Sequence, residues 1–468
     1  MSRFVVSAVH KSSGKTTVSV GLAAALRARG HAVQTFKKGP DYIDPLWLAR
    51  ASDRPCYNLD FHTQSHDEIV ASVAARGPAG GVALIEGNMG LHDGVDLEGS
   101  DSTAALAKLL EAPVVLVVDA EGVTRGVSPI VNGMIAFDPE VRFAGVILNR
   151  IATARQQAKL VAAIERYSDA RILGCIGRDA GMQVVERHLG LTTPAEAGRS
   201  DDRIDHLARV IGASVDLDAL LAAAGAVAPL PSPAPLPAPS RADVRIAVAM
   251  DSAFCFYYAD DLEALARAGA ELTYFSPLTA PALPEADALF IGGGYPETHM
   301  RQLEANSALR AEIRHAADAG LPIYAECGGL MYLSRAIAWH GERCEMVGIV
   351  PAETQMHDTP QGRGLVRLEP TGEAPWSASG GADGFVPAHE FHHAALTGID
   401  PGARFAYRVA RGYGIDGAHD GIVVGNMLAS FSHMRDTSRN RWAGRFVDFV
   451  RTARSARHAR LVRRVAGS

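Results

Sequence analysis

Residues 3–17 read RFVVSAVHKSSGKTT: an apolar run, a polar turn that ends in Gly-Lys-Thr, and the beginning of an Ala- and Leu-rich segment. A strand, this turn and a helix form a phosphate-binding loop, whose backbone amides surround phosphate oxygens. Gly14 permits the close approach, Lys15 would reach the β- and γ-phosphates, and the Thr16 hydroxyl would bind Mg²⁺. Val9 replaces the usual first glycine, so the loop is a variant. We predict an ATP site at Ser12, Ser13, Gly14, Lys15, Thr16 and Thr17.

The segments around this loop alternate between short β-branched runs and longer amphipathic stretches. VALIEG (82–87), PVVLVVD (113–119) and FAGVILN (143–149) are typical of strands, whereas 16–30 and 155–167 are typical of helices. Nearly continuous apolar strands separated by helices predict a parallel sheet covered on both faces, and hence an α/β fold. The second half repeats the pattern with VRIAVAM, ELTYF, ALFIGG and LPIYAE, and shorter strand-like pieces follow from about residue 345.

The domain boundary is predicted at residues 229–239, which read PLPSPAPLPAP. Proline at every second position interrupts both helix and strand ladders and favours an extended spacer. We expect a synthetase domain at 1–225, a linker at 226–241, a second domain at 242–450 and a basic tail at 451–468.

Composition narrows the functional classes. The 468 residues carry 46 Lys plus Arg against 52 Asp plus Glu, a net charge of −6, which argues against a general nucleic-acid partner. No apolar run approaches the roughly 20 residues that a membrane helix needs, so no membrane partner is predicted. The five cysteines are scattered without a CxxC pair, and the first residues turn polar too early for a signal peptide. A reducing cytoplasm therefore fits best.

Carboxylates follow two of the predicted strands. Glu86 ends the strand 82–86, and Asp44 belongs to the charged loop KKGPDYIDP at 37–45. Ligands bind at the carboxyl ends of parallel strands, so we expect Thr16, Glu86 and Asp44 to hold Mg²⁺. We expect substrate to be bound by Asp41, Tyr42, Ile43 and Asp93. Asn149 ends another strand and is predicted to bind adenine, with a simple strand-end cap as the alternative.

A cysteine nucleophile is predicted at Cys327, in the strand-turn-helix sequence IYAECGGLM. The two glycines allow a sharp turn, and the helix start would lower the thiol pKa and offer amides to an oxyanion. Amides of the GGGYPE segment at 292–297 would add to this oxyanion hole, which we assign to Gly293, Gly294 and Gly328. A thiol needs a base, and we choose His433 over His389, His392 and His393.

The sequence HEFHH at 389–393 has the spacing of a zinc-binding HExxH motif. That motif requires a helix, whereas the flanking residues here predict a strand. We therefore interpret this segment as a structural or substrate-facing strand.

Together these motifs resemble the cobyrinic acid a,c-diamide synthase family over nearly the whole chain. The matching segments are SGKTT, FKKGPDYIDP, NLD (58–60), EGNMGLHDG, GVILNR, ERHLGL (186–191), FCFYY (254–258), GGGYPE, ECGGLMYL and ASFSHMR. The resemblance implies an N-terminal P-loop domain similar to dethiobiotin synthetase and a C-terminal class I-type glutamine amidotransferase domain. It matches Cys327 and His433 to the family's nucleophile and histidine. Typical class I members carry Glu two residues after the histidine, but Arg435 stands here, so the group that orients His433 is not identified.

The resemblance also implies the chemistry. ATP and Mg²⁺ would convert the a- and c-acetate carboxylates of a tetrapyrrole to acyl phosphates, and ammonia from glutamine would form the amides. A sirohydrochlorin- or siroheme-type ring is the alternative substrate, which the loop AVHKSSGKTT and Lys38 favour, because the cobalamin enzymes often have SGSGKTT and Cys there. A homodimer is left open by the sequence.

Three other functions compete with this one. A stand-alone P-loop synthetase would have a degenerate second domain, yet the Cys-Gly-Gly turn and His433 are present. A ParA-like scaffold ATPase would carry a signature lysine at His10 and would lack the second half. A relative that amidates peripheral propionates is similarly built, but the segment 37–45 is closer to the a,c-diamide branch.

Overall fold

The computed structural model describes residues 1–182, 186–187, 190–191, 193, 200–232, 240–377 and 380–466. It divides into two compact units, one of Met1–Phe61 and Ser65–Pro235, the other of His62–Gln64 and Leu236–Ser468. Residues 233–239, which form most of the predicted proline-rich spacer, lie outside the described residues.

The first unit alternates strands and helices along the chain. Its strands are β1 (Ser2–Ala8), β2 (Val33–Lys38), β3 (Tyr57–Leu59), β4 (Val82–Glu86), β5 (Val114–Asp119), β6 (Phe143–Ile151), β7 (Ile172–Gly177), β8 (Glu186–Arg187) and β9 (Gly190–Leu191). Its helices are α1 (Lys15–Ala28), α2 (Ile43–Ser52), α3 (His66–Arg76), α4 (Thr103–Leu109), α5 (Val127–Ala136), α6 (Ala154–Tyr167), α7 (Ser200–Ser214) and α8 (Leu217–Gly225).

Seven of these strands form one parallel sheet in the order β3-β2-β4-β1-β5-β6-β7. Glu86, the last residue of β4, pairs in register with Val6 of β1 and with Lys37 of β2. The predicted magnesium ligand and the charged loop after β2 therefore meet at the carboxyl edge of the sheet, next to the phosphate loop.

The second unit has more strands and fewer helices. Its strands are β10 (Val244–Ala249), β11 (Phe254–Phe256), β12 (Ala270–Phe275), β13 (Ala288–Ile291), β14 (Gly293–Gly294), β15 (Ile323–Glu326), β16 (Ala336–Trp339), β17 (Glu342–Glu345), β18 (Glu353–Met356), β19 (Gly362–Pro370), β20 (Val386–His392), β21 (Ala394–Thr397), β22 (Arg404–Arg411), β23 (His419–Val424) and β24 (Met427–Ser430). Its helices are α9 (Ala259–Arg267), α10 (Met300–Ala305), α11 (Ser307–Asp318), α12 (Gly328–Leu333) and α13 (Trp442–Ala466).

The main sheet of the second unit has nine strands in the order β12-β10-β13-β15-β24-β23-β22-β19-β20. The five from β12 to β24 are parallel, and the others pair antiparallel. Glu326 at the end of β15 pairs with Ser430 at the end of β24, which brings the segments around Cys327 and His433 together.

Both units have the α/β fold that the sequence predicted. The HEFHH segment lies largely on β20, as expected, and α13 spans both sides of residue 451. Among the helices of the described residues, none has the length and apolar character that a membrane crossing requires.

Candidate active sites

The phosphate loop joins β1 to α1 through left-handed backbone at Ser12 (φ 64°) and Gly14 (φ 85°). A Cβ atom at Gly14 would lie 2.3 Å from Nδ2 of Asn149, so only glycine fits. The same Nδ2 atom donates a hydrogen bond to the carbonyl oxygen of Ser13 (3.0 Å). The strand continues past Asn149 to Ile151, so Asn149 is not the strand end that the sequence predicted, and its side chain instead ties β6 to the loop. Its contact with adenine stays a prediction.

Lys15 begins α1, and its Nζ atom donates to the carbonyl oxygen of Met89 (2.9 Å). The side chain is almost buried, and burial together with the ammonium of Lys37 lowers the pKa of Lys15. A partly desolvated ammonium at the start of a helix is suited to bind phosphate oxygens.

A buried ionic cluster lies beside Lys15. The Thr16 hydroxyl donates to Oε1 of Glu86 (2.7 Å) and to Oδ2 of Asp44 (3.2 Å). Lys37 Nζ donates to the same two oxygens, at 3.0 Å for Glu86 and 2.5 Å for Asp44, and lies 3.8 Å from Oδ2 of Asp41. Lys37 was not singled out from the sequence, although its place at the end of β2, in a loop rich in carboxylates, was a usable signal.

The charges in this cluster shift one another's pKa values. Burial alone would lower the pKa of Lys37, but the carboxylates of Asp44 and Glu86 outweigh it and hold that pKa well above its usual value. Burial would raise the pKa of Asp44, but Lys37 lowers it overall. For Glu86 burial dominates, and its pKa is raised. Burial and the Asp44 charge raise the pKa of Asp41 to about 7.

The predicted magnesium ligands fit the metal. Thr16, Asp44 and Glu86 present hard oxygen atoms together, and Oε2 of Glu86 is buried without a hydrogen-bond partner in the part of the chain that the structure describes. No group of three or more His, Cys, Asp or Glu suited to a metal occurs among the described residues. Proteins often bind Mg²⁺ through one or two carboxylates, with phosphates and water as the other ligands, and Asp44 and Glu86 would supply the two carboxylates.

The predicted substrate residues lie near this cluster and also support the local backbone. Oδ1 of Asp41 accepts from the amides of Ile43 (3.0 Å) and Asp44 (3.1 Å), which caps α2. Tyr42 and Ile43 are only 9% exposed. Oδ2 of Asp93 accepts from the amide of Gly90 (2.9 Å) and braces the loop that carries Met89. Their contact with substrate stays a prediction.

In the second unit, Cys327 occupies a strained turn between β15 and α12, with φ 45° and ψ −101°. Its amide donates to the carbonyl oxygen of Ser430 (2.7 Å). A Cβ atom at Gly328 would lie 3.0 Å from the amide nitrogen of Gly294, and one at Gly329 would lie 2.2 Å from the carbonyl oxygen of Ile291. Both glycines are therefore needed for the turn to pack against the GGGYPE segment.

The predicted oxyanion residues are brought together by this packing. Gly293 and Gly294 form β14, which pairs with β11. Tyr257 donates its hydroxyl proton to the carbonyl oxygen of Ala249 and accepts from the amide of Gly292 (2.8 Å), which fixes the start of the segment. The donation of these amides to a reacting oxygen stays a prediction.

The thiol of Cys327 is not activated by its surroundings in the way that the sequence suggested. Burial raises its pKa, and the charge of Glu297 raises it further, whereas the amide of Gly328 lowers it only in part. The net lowering of the thiol pKa that the sequence predicted is wrong, because burial outweighs the contribution of the Gly328 amide at the helix start. The nucleophile consequently needs a base beside it.

His433 lies next to this turn. Its Nδ1 atom is 3.2 Å from Oε2 of Glu326, the residue before Cys327. A Cβ atom at Gly293 would lie 2.7 Å from Cε1 of His433, so the ring contacts the predicted oxyanion segment. The structure thus brings His433, Cys327 and Gly293 together and adds Glu326, which the sequence analysis missed.

The rival histidines occupy other positions. His389 pairs with His433 through backbone hydrogen bonds of 2.7 and 3.2 Å. His392 stacks on Phe431 at 4.0 Å, and its Nδ1 atom lies 2.7 Å from the carbonyl oxygen of Ala394. Nδ1 of His393 lies 3.1 Å from the carbonyl oxygen of His357.

Glu390 of the HEFHH segment binds backbone. It accepts from the amides of Tyr413 (2.7 Å) and Gly414 (2.8 Å). A carboxylate in this position, on a strand, supports the structural interpretation over a zinc site.

Arg435, which stands where typical class I members have Glu, is engaged elsewhere. Its Nη2 atom donates to Oδ2 of Asp260 (2.5 Å), and its guanidinium lies 4.6 Å above the ring of Tyr258. The FCFYY segment at 254–258 therefore contributes one tyrosine to Arg435 and one to the GGGYPE segment.

Comparisons with known proteins agree with this division. Residues 5–191 match the CobQ/CobB/MinD/ParA nucleotide binding domain, and residues 245–440 match the CobB/CobQ-like glutamine amidotransferase domain. The cobyrinate a,c-diamide synthase of Magnetococcus marinus is 46% identical over 448 residues, which cover 94% of this chain and 95% of that protein. The enzymes of the same name from Methanosarcina acetivorans (39%, covering 98% and 97%) and Listeria innocua (37%, covering 93% and 96%) are also similar.

Proposed function

Since the chain belongs to the cobyrinate a,c-diamide synthase family, we propose that it amidates the a- and c-acetate carboxylates of cobyrinic acid with ATP and glutamine. The observation that carries the proposal is the strained Cys327 turn with His433 beside it, in a chain whose other unit holds a phosphate loop and a carboxylate cluster. The enzyme is an ATP-dependent carbon–nitrogen ligase. Mg²⁺ and a cytoplasmic location complete the proposal, because ATP and glutamine are metabolites of that compartment.

The first unit activates the substrate carboxylate. A carboxylate oxygen attacks the γ-phosphorus of ATP, the bond to the bridging oxygen breaks, and an acyl phosphate and ADP result. Lys15 and the loop amides bind the phosphates, and Lys37 places a second cation beside them. Mg²⁺, when bound by Thr16, Asp44 and Glu86, supplies charge neutralisation to the phosphates.

The second unit supplies ammonia. The sulfur of Cys327 attacks the side-chain amide carbon of glutamine while His433 takes the thiol proton. The amides of Gly293, Gly294 and Gly328 would stabilise the oxyanion, and His433 returns the proton to the leaving nitrogen. Water then hydrolyses the thioester to glutamate. Ammonia attacks the acyl phosphate carbon, phosphate leaves, and one proton is lost as the amide forms.

Corrinoid substrate is favoured over a siroheme-type ring. The relatives described above carry the corrinoid name at 37–46% identity over nearly their whole length. We keep 1–225 and 242–450 as the functional domains, 226–241 as linker and 451–468 as tail. The same acetate activation would work on sirohydrochlorin or siroheme, so the substrate needs a direct test.

The test is an amidation assay read by mass spectrometry. Cobyrinic acid, hydrogenobyrinic acid, sirohydrochlorin and siroheme are offered separately with ATP, Mg²⁺ and glutamine. We expect the mass change of two acids converted to amides on cobyrinic acid. Cys327→Ala should lose glutamine-dependent but keep ammonia-dependent amidation, whereas Cys344→Ala, at another buried cysteine of the same unit, should keep both. Amidation of the siro-type rings alone would reject the corrinoid substrate, and no amidation even with ammonia would reject the ligase itself.

A further inference from the structure

The carboxylate of Glu326 is held at both oxygens in the interior of the second unit. Oε1 accepts from the amide of Met434 (2.8 Å) and from the hydroxyl of Tyr324 (2.5 Å), and Oε2 faces Nδ1 of His433 (3.2 Å). Glu326 and His433 are 4% and 3% exposed. A buried carboxylate costs free energy unless it is fully hydrogen-bonded, and this one contacts both the ring of His433 and the next backbone amide.

Tyr324 fixes the orientation of this carboxylate. Residues 324 and 326 lie on the same face of β15, because side chains alternate along a strand. The Tyr324 ring is stacked on Phe290 (centroids 5.3 Å apart, 17° between planes) and packs against Trp442 at 4.8 Å. Its hydroxyl therefore presents its proton to Oε1 from a rigid aromatic cluster, and Oε2 is directed to the histidine.

Typical class I members carry a glutamate two residues after the catalytic histidine, and in this chain that position is Arg435, which makes other contacts. Arg435 is 1% exposed and lies between the Asp260 carboxylate and the Tyr258 ring. An arginine also has no acceptor for an imidazole N–H. A carboxylate oxygen that does face Nδ1 of His433 belongs instead to Glu326, the residue that precedes the nucleophile.

We propose that Glu326 is the positioning residue of His433, an inference that rests on the proposed glutaminase step. Its carboxylate accepts the Nδ1 proton, which fixes the imidazole tautomer and leaves Nε2 to take the proton of Cys327. The carboxylate then stabilises the imidazolium that forms together with the thiolate. Because residues 326 and 327 are adjacent, the strained turn positions both the nucleophilic thiol and the carboxylate that orients its base.

The structure predicts what an amide at position 326 would do. Met434 and Tyr324 both donate to Oε1, so the glutamine of Glu326→Gln must place its carbonyl oxygen there. Its NH₂ group then faces Nδ1 of His433 and can only donate. His433 would have to accept at Nδ1 and carry its proton on Nε2, which is the wrong tautomer for a base.

The experiment compares wild type with Glu326→Gln and Glu326→Asp. For Glu326→Gln we expect glutaminase kcat to fall by roughly 10²- to 10⁴-fold with little change in KM, as for loss of a tautomer-fixing carboxylate. Glu326→Asp, which keeps the charge on a shorter side chain, should recover part of that loss. Ammonia-dependent amidation should persist in both variants.

A second readout does not require the ligase reaction. The rate of iodoacetamide reaction at Cys327, followed by peptide mass spectrometry against pH, reports formation of the thiolate. The Glu326 charge repels the thiolate directly but stabilises the imidazolium that forms with it. The proposed role requires the second effect to outweigh the first, so we expect the midpoint of the alkylation rate against pH to move upward in Glu326→Gln. This comparison remains decisive if wild type proves to have no glutaminase activity, a result that would reject the proposed function instead.

The proposal is overturned if Glu326→Gln keeps wild-type kcat and the wild-type alkylation profile. It is also overturned if both variants lose ammonia-dependent amidation together with glutaminase, because Glu326 would then serve only to hold the fold.

Discussion

The absence of a side chain at Gly293 leaves room for the ring of His433 in the thiol site. An added Cβ would lie 2.7 Å from Cε1 of His433 and 3.3 Å from two atoms of Phe256, while the backbone there is outside the left-handed region. Gly293→Ala should therefore displace the imidazole rather than unfold the protein. Misplacement by about 1 Å costs on the order of 100-fold in rate, and we expect that loss in glutaminase kcat.

Gly444→Ala is the matched control for this variant. Gly444 lies in α13, and an added Cβ would meet nothing within 4 Å. It should keep glutaminase activity. Equal loss in both variants, or wild-type activity in Gly293→Ala, would contradict the assigned contact between Gly293 and His433.

Lys37 is predicted to hold the carboxylate cluster of the first unit together. Lys37→Met would leave Asp44 and Glu86 buried without their cation, and breaking a buried ion pair costs about 3–5 kcal/mol. We expect faster hydrogen exchange in peptides covering 33–52, partly reversed by Mg²⁺, which would replace the lost positive charge. Lys38→Met, at the next residue, should show a smaller effect. Unchanged exchange in Lys37→Met, or no response to Mg²⁺, would count against this arrangement.

The residues that the sequence revealed are those with a local signature. Gly14, Lys15 and Cys327 stand in short motifs whose turn chemistry is encoded nearby. Glu326 was missed because its partner comes from a distant segment, since it contacts His433 only because β15 pairs with β24. Lys37 has the near partners Asp41 and Asp44, but its contact with Glu86 depends on the pairing of β2 with β4. The thiol pKa was predicted in the wrong direction for the same reason, since desolvation depends on packing.

At the scale of elements, the prediction was best where strands were apolar throughout. PVVLVVD and FAGVILN became β5 and β6, and the helix predicted at 155–167 is α6 (Ala154–Tyr167). After residue 345 the sequence indicated strands but not their partners. Strands β19, β20, β22 and β23 extend the same sheet as β15 in antiparallel pairing, a register set by contacts that single-strand patterns do not encode.

Two helical glycines of the first unit should respond to alanine in opposite directions. A Cβ at Gly21 of α1 would lie 2.4 Å from Cγ1 of Ile211 and 3.2 Å from the carbonyl oxygen of Leu207, both on α7. Overpacking of this kind costs about 1–3 kcal/mol, which exceeds the gain of roughly 1 kcal/mol in helix propensity. A Cβ at Gly133 of α5 would meet nothing within 4 Å, so Gly133→Ala should show only the stabilisation from higher helix propensity.

Thermal unfolding of the two variants measures this difference. The midpoint temperature of the unfolding transition of the first unit should fall in Gly21→Ala and rise slightly in Gly133→Ala. Stabilisation by both substitutions would mean that α1 and α7 are not packed as closely as the structure describes.

The whole molecule keeps phosphoryl chemistry and thiol chemistry in separate compact units, and the two should therefore fail independently. Lys15→Ala removes the ammonium predicted to bind the transferred phosphoryl group, so amidation should fall at least about 100-fold with either glutamine or ammonia as nitrogen source. Glutaminase activity at Cys327 should remain, because the residues assigned to that site, Cys327, His433 and Glu326, belong to the second unit. Lys11→Ala, at an exposed lysine of the same loop, is the control and should keep amidation.

Rates of ADP, glutamate and amide formation are measured in parallel, since a variant that still hydrolyses glutamine but forms no amide has lost only acyl activation. Retained amidation in Lys15→Ala would show that the phosphate loop does not carry the ATP reaction, whereas loss of glutamate formation as well would show that the thiol site depends on an intact nucleotide site.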